Sequence, residues 1–222
     1  MKLRLQAILA MSIFATAAVN AQLPNGDMEA WYIYDGGASD AEVPEGWESP
    51  DMIGADVGAD AVVVTKESTV THGGSFAAKL ETKTVNVPIL GLTFDVPGTL
   101  TTGQINFDFD LFIPSVVGGA DVSSAYDMFG GYYRYSPAGS DTMNITVLMM
   151  LGADTVGYGN YRDPATTTEY QSFSCPITYF APVIPDKMQI VIVSSGGFTS
   201  LEPGSVLYVD DMEVTGGVGI DD

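Results

Sequence analysis

Ser205 to Val214 read SVLYVDDMEV, a strand-like run of apolar residues that carries two adjacent carboxylates, Asp210 and Asp211. Side chains alternate across a β-strand, so Asp210 shares its side with Tyr208, Met212 and Val214, and a core-facing strand would point Asp210 inward. An unpaired carboxylate there is costly and calls for a cation or for hydrogen-bond donors. Asp211 lies on the opposite side and is the weaker candidate for such a role.

Working back from this run, similar ones recur through the chain: Asp60–Ser68, Ser75–Val85, Gly103–Ile113, Met128–Ser136, Thr142–Leu151, Tyr170–Tyr179 and Asp186–Gly196. They are separated by turns among 25 Gly and 12 Pro, and helical periodicity is nearly absent. Eight or more short strands with turn signals between them predict an all-β protein, a sandwich or a barrel. In INFDFDLFI, Ile105, Phe107, Phe109 and Leu111 share one face while Asn106, Asp108 and Asp110 share the other, as a half-buried antiparallel strand requires. Ile190 to Val193 is apolar without a break, which suits a central strand covered on both sides.

The chain has 222 residues, 46% of them hydrophobic and 16% charged, enough for a sizeable core in one domain. Residues 1–21 begin with Lys2 and Arg4, continue through an apolar stretch from Leu5 to Ala18 and end in small residues, the pattern of a secretory signal peptide cut between Ala21 and Gln22. Removing it leaves six of the eight basic residues and all 28 acids. Such a surface repels nucleic acid and anionic lipid, and fits a protein kept soluble by its charge or one that binds cations. No other segment is long and apolar enough to insert in a membrane. Cys175 is the only cysteine, so no intrachain disulfide forms and the thiol reads as a small buried residue. A single domain is expected over 22–214, with 215–222 as a linker or tail.

The order of motifs carries a resemblance. LPNGDMEAW at the start, VPEGWES from Val43, THGGSFAAKLET from Thr71, GGYYRYSP from Gly130, IVIVSSGG from Ile190 and GSVLYVDDMEV from Gly204 together resemble secreted Bacteroidetes proteins of the putative carbohydrate metabolism domain family, and more broadly the jelly-roll carbohydrate-binding modules. The resemblance implies a jelly-roll β-sandwich of two antiparallel sheets and a link to glycans at or outside the cell surface. In similar modules the first and last strands lie side by side, and an NGxxE start with a DD end can hold a structural calcium ion. Here that implies Glu29 and Asp210 as the preferred pair, with Asp27 and Asp211 as further ligands. The Thr71–Gly74 turn would add carbonyl oxygens, since calcium takes 6 to 8 oxygens. Met28 stands where similar modules usually carry Phe. The alternative, that these acids cap turns or sit solvated at a sheet edge, stays open.

Sugar recognition calls for flat aromatic faces and a few polar groups in a shallow groove. In GYYRYS, Tyr132 and Arg134 point one way and Tyr133 and Tyr135 the other, and the side with Arg134 is the better polar surface. In GYGNYRDP, Tyr158, Tyr161 and Arg162 read as an exposed loop cluster. Either set can equally be core tyrosines with hydroxyls at a rim. Trp31 and Trp47 read as core anchors and His72 as a turn residue. No GxSxG elbow accompanies His72, and a lone Cys with a lone His excludes ordinary zinc sites.

The expected function is a secreted, non-catalytic module that binds a polysaccharide or glycan. The alternatives are a structural or adhesive surface module and, less favoured, a glycoside hydrolase. Similar proteins often carry a C-terminal type IX sorting domain for display at the cell surface, and GVGIDD at 217–222 reads as the short linker that would precede one. Oligomeric state is not legible.

Overall fold

Short β-branched and aromatic runs between glycines and prolines fold as strands along the whole chain. The computed structural model describes residues 23–108, 113–196 and 201–216. In chain order its elements are Trp31–Asp35 (β1), Asp40–Pro44 (β2), Pro50–Val57 (α1), Val64–Glu67 (β3), Ala77–Glu81 (β4), Lys83–Val87 (β5), Leu92–Val96 (β6), Thr99–Thr101 (β7) and Gln104–Asp108 (β8). They continue with Ile113–Val117 (β9), Ala120–Asp121 (β10), Met128–Ser136 (β11), Met143–Leu151 (β12), Asp154–Asp163 (β13), Gln171–Pro176 (β14), Thr178–Tyr179 (β15), Lys187–Val193 (β16) and Val206–Thr215 (β17). The signal-peptide segment and residues 217–222 of the expected tail lie outside the described residues, while Thr215 is the last residue of β17.

Two antiparallel sheets form the body of a jelly-roll β-sandwich. One has the order β10-β16-β12-β13-β15, with β7 also pairing β16; the other has the order β14-β11-β17-β4-β3. Three hairpins, β1-β2, β5-β6 and β8-β9, stand beside them. Between the sheets, Ile145, Val147 and Ile190 of the first meet Phe129, Tyr135 and Leu207 of the second in one cluster of buried side chains. At one end of this cluster the Ser194 backbone carbonyl accepts from the Tyr135 hydroxyl at 3.0 Å, and the Ser194 hydroxyl contacts that of Thr82 at 2.8 Å. Tyr135, Thr82 and Ser194 are thus paired where the strands leave the core.

Several strands differ from the sequence expectation, each for a local reason. The run from Ser75 to Val85 breaks at Thr82 into β4, which pairs with β17 and β3, and β5, which pairs only with β6 among the described strands. In Gln104–Asp108, Ile105 and Phe107 are half-buried and Asn106 and Asp108 exposed, so the predicted alternation holds, but in a hairpin beside the main sheets; Phe109, Asp110 and Leu111 lie outside the described residues. β16 alternates as well: Ile190 and Ile192 face the core, whereas Val191 and Val193 are half-buried on the outer face. The unbroken apolar run therefore reflects valines on a sheet surface and not a strand covered on both sides.

The helix α1 was not anticipated, although its punctuation is present. Ser49 caps it by accepting the Asp51 N–H at 3.3 Å, Pro50 occupies its first turn, and Gly58 closes it in the left-handed region. Asp51 is buried, and its two oxygens accept the Val63 and Val64 N–H groups at 2.7 and 2.8 Å. One carboxylate thereby ties the helix start to the entry of β3.

Burial pushes the Asp51 carboxyl up from 3.8 to about 6, against the opposing pull of its hydrogen bonds. Between those values the folded protein holds a proton that the unfolded chain releases, so the contribution of this group to stability falls as pH rises from about 4 to 6. The expected loss is up to about 3 kcal/mol. Urea unfolding across that range should show this downward slope, and Asp51→Asn should flatten it; an unchanged slope in the variant would place the effect elsewhere.

Candidate functional site

The last strand does not keep simple alternation. Opposite β11, Tyr132 pairs with Asp210 and Gly130 with Glu213, so β17 carries one extra residue, and Asp211 adopts φ 46 there. This bulge resets the faces. Leu207 and Val209 point inward before it and Met212 after it, while Tyr208 and Asp210 share the outer face. The expected inward direction of Asp210, on one side with Met212, is corrected accordingly: Asp210 is buried, but beneath the Thr71–Gly74 turn on the outside of the five-stranded sheet.

That turn supplies donors. Asp210 Oδ2 accepts the His72 and Gly73 N–H groups at 2.7 and 3.1 Å, and Oδ1 accepts the Asp211 N–H at 2.8 Å. Burial raises the Asp210 carboxyl above its ordinary value while these bonds pull it down. Glu29 Oε1 accepts the Ser75 and Phe76 N–H groups at 2.7 and 2.9 Å, and Asp211 Oδ2 lies 2.6 Å from His72 Nδ1. The two glycines of the turn have a steric reason. A Cβ on Gly73 would meet the Asp211 carboxylate at 2.4 Å, and one on Gly74, which has φ 52, would meet Glu29 at 2.0 Å.

The sequence thus correctly brings Glu29, Asp210 and Asp211 to one place around THGG, but the turn offers them N–H groups where carbonyl oxygens were expected. Asp27 stands exposed and takes no hydrogen bond among the described residues. Among the described residues no group of three or more acids, histidines or cysteines is disposed to hold a metal ion. The donor set does not fit a calcium cage. Nor do the first and last strands pair: β1 pairs β2, and the N-terminal segment meets β17 through the Met212 N–H to the Gly26 carbonyl at 2.7 Å.

The tyrosines separate into two kinds. His72 stacks on Tyr132 with ring centroids 3.5 Å apart, and Tyr170 meets the His72 edge at 5.6 Å. Arg134 lies over the Tyr208 ring at 6.0 Å. Tyr132 and Arg134 do share the outer face, as expected, but the turn occupies one face of the Tyr132 ring. Tyr133, on the inner side, donates to Asp163 and lies 3.1 Å from the Tyr161 hydroxyl, and burial pushes its phenol strongly upward. Tyr161 packs against Tyr133 and Phe173 at 5.8 and 5.6 Å, so it belongs to the rim of the core and not to a ligand face.

The GYGNYRDP segment is strand and not loop: residues 157–163 belong to β13. Strand alternation therefore separates Tyr161 from Tyr158 and Arg162, which stand exposed on the outer face of the six-stranded sheet with Asn160 between them. Across this face Arg162 pairs with Asn144 and then Val193, Asn160 with Thr146 and then Val191, and Tyr158 with Leu148 on one side and Thr178 on the other. The Asn160 amide donates to Asn144 Oδ1 at 2.7 Å, the Ile145 carbonyl at 2.9 Å and Thr146 Oγ1 at 3.1 Å. Its own carbonyl oxygen, with no donor among the described residues, remains an acceptor for an incoming hydroxyl. Asn144, Thr146 and Asn160 were missed in the sequence because polar residues at every second strand position read as ordinary solvated positions.

A second concavity of about 540 Å³ lies beside the edge of the same sheet, lined by Tyr32, Trp47, Glu48, Gln104 and Lys187. Its charged groups are already engaged: Glu48 accepts the Ile105 N–H at 2.8 Å, and Lys187 is paired with Asp121 at 2.6 Å.

The geometry defines a jelly-roll β-sandwich with one outer sheet face covered by a latched turn and a polar, aromatic strip on the other. No protein-family model matches the sequence, and no curated protein matches it. Among solved structures, a chain described as a "putative glycoside hydrolase" from Bacteroides vulgatus superposes with a TM-score of 0.66 at 16% identity, covering 85% of this chain and 96% of that one. Another so described, from Bacteroides thetaiotaomicron, superposes at 0.60 and 18% identity over 87% of this chain and 72% of that one. A family 16 carbohydrate-binding module matches at 0.42 and 10% identity, over 71% and 88% of the two chains. For the two Bacteroides chains, at these identities, the likeness is one of fold.

Asp210→Ala would leave three backbone N–H groups without their acceptor, at a cost of about 3 kcal/mol. Thermal melts should show a fall on the order of 10 °C in the variant. Millimolar calcium in place of EDTA should leave the wild-type midpoint unchanged. A calcium-dependent rise in wild type that Asp210→Ala abolishes would instead restore a metal site at this joint.

Proposed function

We propose that this protein is a secreted, non-catalytic carbohydrate-binding module that recognises its glycan on the outer face of the six-stranded sheet, through Tyr158, Asn160 and Arg162. The observation that carries this reading is the outward row on β13. It presents an exposed aromatic ring, an amide whose carbonyl oxygen is open and an exposed guanidinium along one strand, with Asn144 and Thr146 beside them. A flat sheet bearing a ring for C–H surfaces and fixed polar groups for hydroxyls is suited to a chain of sugars. The fold supports the reading by analogy alone, since a jelly roll hosts many functions. Secretion rests on the leader-like pattern of residues 1–21, and display through a type IX system on the family resemblance.

Two observations weigh against the alternatives. Glycoside hydrolysis needs a pair of carboxylates flanking the scissile bond. The outward positions across Arg162, Asn160 and Tyr158 hold amides, hydroxyls and apolar side chains, with no carboxylate among them. His72 pairs with Asp211, but its ring is stacked against Tyr132 as part of the latch. A purely structural or adhesive module would not need an exposed arginine that is unengaged among the described residues. Calcium has no part in recognition in this proposal.

A glycan array followed by titration of the best ligand tests the assignment. Tyr158→Ala should weaken binding about tenfold, the loss of one aromatic contact. Tyr32→Ala, in the cleft, should leave it unchanged. Binding to no polysaccharide would sink the proposal in favour of a structural module, and loss confined to Tyr32→Ala would move the site to the cleft.

A further inference from the structure

Acids outnumber bases 28 to 8 in this chain, so a basic side chain on its surface has carboxylates to choose from. Among the described residues nearly every one has taken a partner. Lys66 pairs with Glu42, Lys79 and Lys83 with Glu81, and Lys187 with Asp121, while Arg134 lies over Tyr208. Arg162 makes no ion pair and no hydrogen bond among the described residues and stands exposed on β13. Its guanidinium passes over Gly196, where an added Cβ would lie 3.5 Å from Nη2, and next to Gly196 the buried Ser195 hydroxyl has no hydrogen-bond partner among the described residues. The rows around Arg162 are the carboxylate-free ones just described. A guanidinium unengaged among the described residues, in rows that hold no carboxylate, in so acidic a chain, is a prepared anion site.

We propose that the glycan bound on this face is acidic, with Arg162 gripping the carboxylate of a uronic-acid unit. The inference rests on the glycan reading and deepens it. A guanidinium presents a planar fork of N–H donors that matches a carboxylate through two parallel hydrogen bonds, a geometry that a neutral hydroxyl cannot use in full. Tyr158 lies four residues along the same strand, about 13 Å away. Ring and guanidinium therefore contact different sugar units, and the ligand is an oligosaccharide. The acidic remainder of the surface sets a limit on its charge. At physiological ionic strength charges are screened beyond about 8 Å, so a spaced carboxylate can reach Arg162, whereas a densely charged polymer would run onto repelling surface. The ligand class is accordingly a glycan with separated uronates, not a heavily sulfated polyanion.

The test compares three series of oligosaccharides in which galacturonic, glucuronic or mannuronic units alternate with neutral sugars, each beside its carboxyl-reduced neutral counterpart, by titration calorimetry. In wild type at least one acidic member should bind about tenfold or more tightly over its neutral counterpart. Arg162→Gln should erase that preference, Arg162→Lys should keep part of it, and Tyr158→Ala should weaken both forms alike. Equal binding of acidic and neutral forms, a preference that survives Arg162→Gln, or no binding to any member of the three series would each overturn the inference. Tyr158-dependent binding of neutral glycans alone would overturn it while leaving the glycan reading in place.

Discussion

The Asp210 carboxylate is the point on which the arrangement of the two outer faces depends. It is buried, and three backbone N–H groups, from His72, Gly73 and Asp211, converge on its oxygens. An ionised acceptor with charge-assisted bonds is stronger than a neutral one, and a buried carboxylate without them would be untenable. Because the bulge at Asp211 turns Asp210 outward, the turn it holds lies over the five-stranded sheet. Tyr132 is then stacked under His72, and the surface that the GYYRYS motif advertises becomes part of the scaffold.

The same device recurs. The chain has too few bases to neutralise its acids with ion pairs, and it spends carboxylates on backbone donors. Asp51 holds the start of β3, Glu29 the segment after THGG, and Glu48 the start of the β8-β9 hairpin. Glu67 gathers the Ser68, Thr69 and Val70 N–H groups at the exit of β3, and its carboxyl is held below the ordinary range. Loops of a sheet protein leave backbone N–H groups unpaired, and a side-chain acceptor satisfies them without a further strand. With no disulfide available, these contacts take over the fastening of loops to the sandwich. The acidity of the chain is thus partly architectural, which is why it does not by itself point to cation binding.

Against that background the six-stranded sheet is unusual in what it leaves open. Tyr158, Asn160 and Arg162 project from β13 on a face that no latched turn covers among the described residues, and the amide ladder from Asn160 to Asn144 and Thr146 fixes the polar groups between ring and guanidinium. Side chains held on regular strands are placed more firmly than side chains on loops, which suits recognition of an extended ligand.

The sequence alone determined the all-β class, because alternation and turn punctuation are local properties of backbone and side-chain sterics. It also determined that the acids near both ends of the chain need partners, because burying a carboxylate is costly wherever it happens. Its alternation rule placed Tyr132 with Arg134 and would have parted Tyr161 from Tyr158 had GYGNYRDP been read as strand. Only the tertiary structure decided that β17 carries a bulge, so that Asp210 faces outward, and that THGG turns its N–H groups toward the acids. It also decided that Arg134 lies over Tyr208 while Arg162 is left unengaged among the described residues. Those outcomes depend on register and on which loop lands on which sheet. Both are set by pairings between residues far apart in the chain, such as Tyr132 with Asp210 and His72 with Asp210, and no local pattern encodes them.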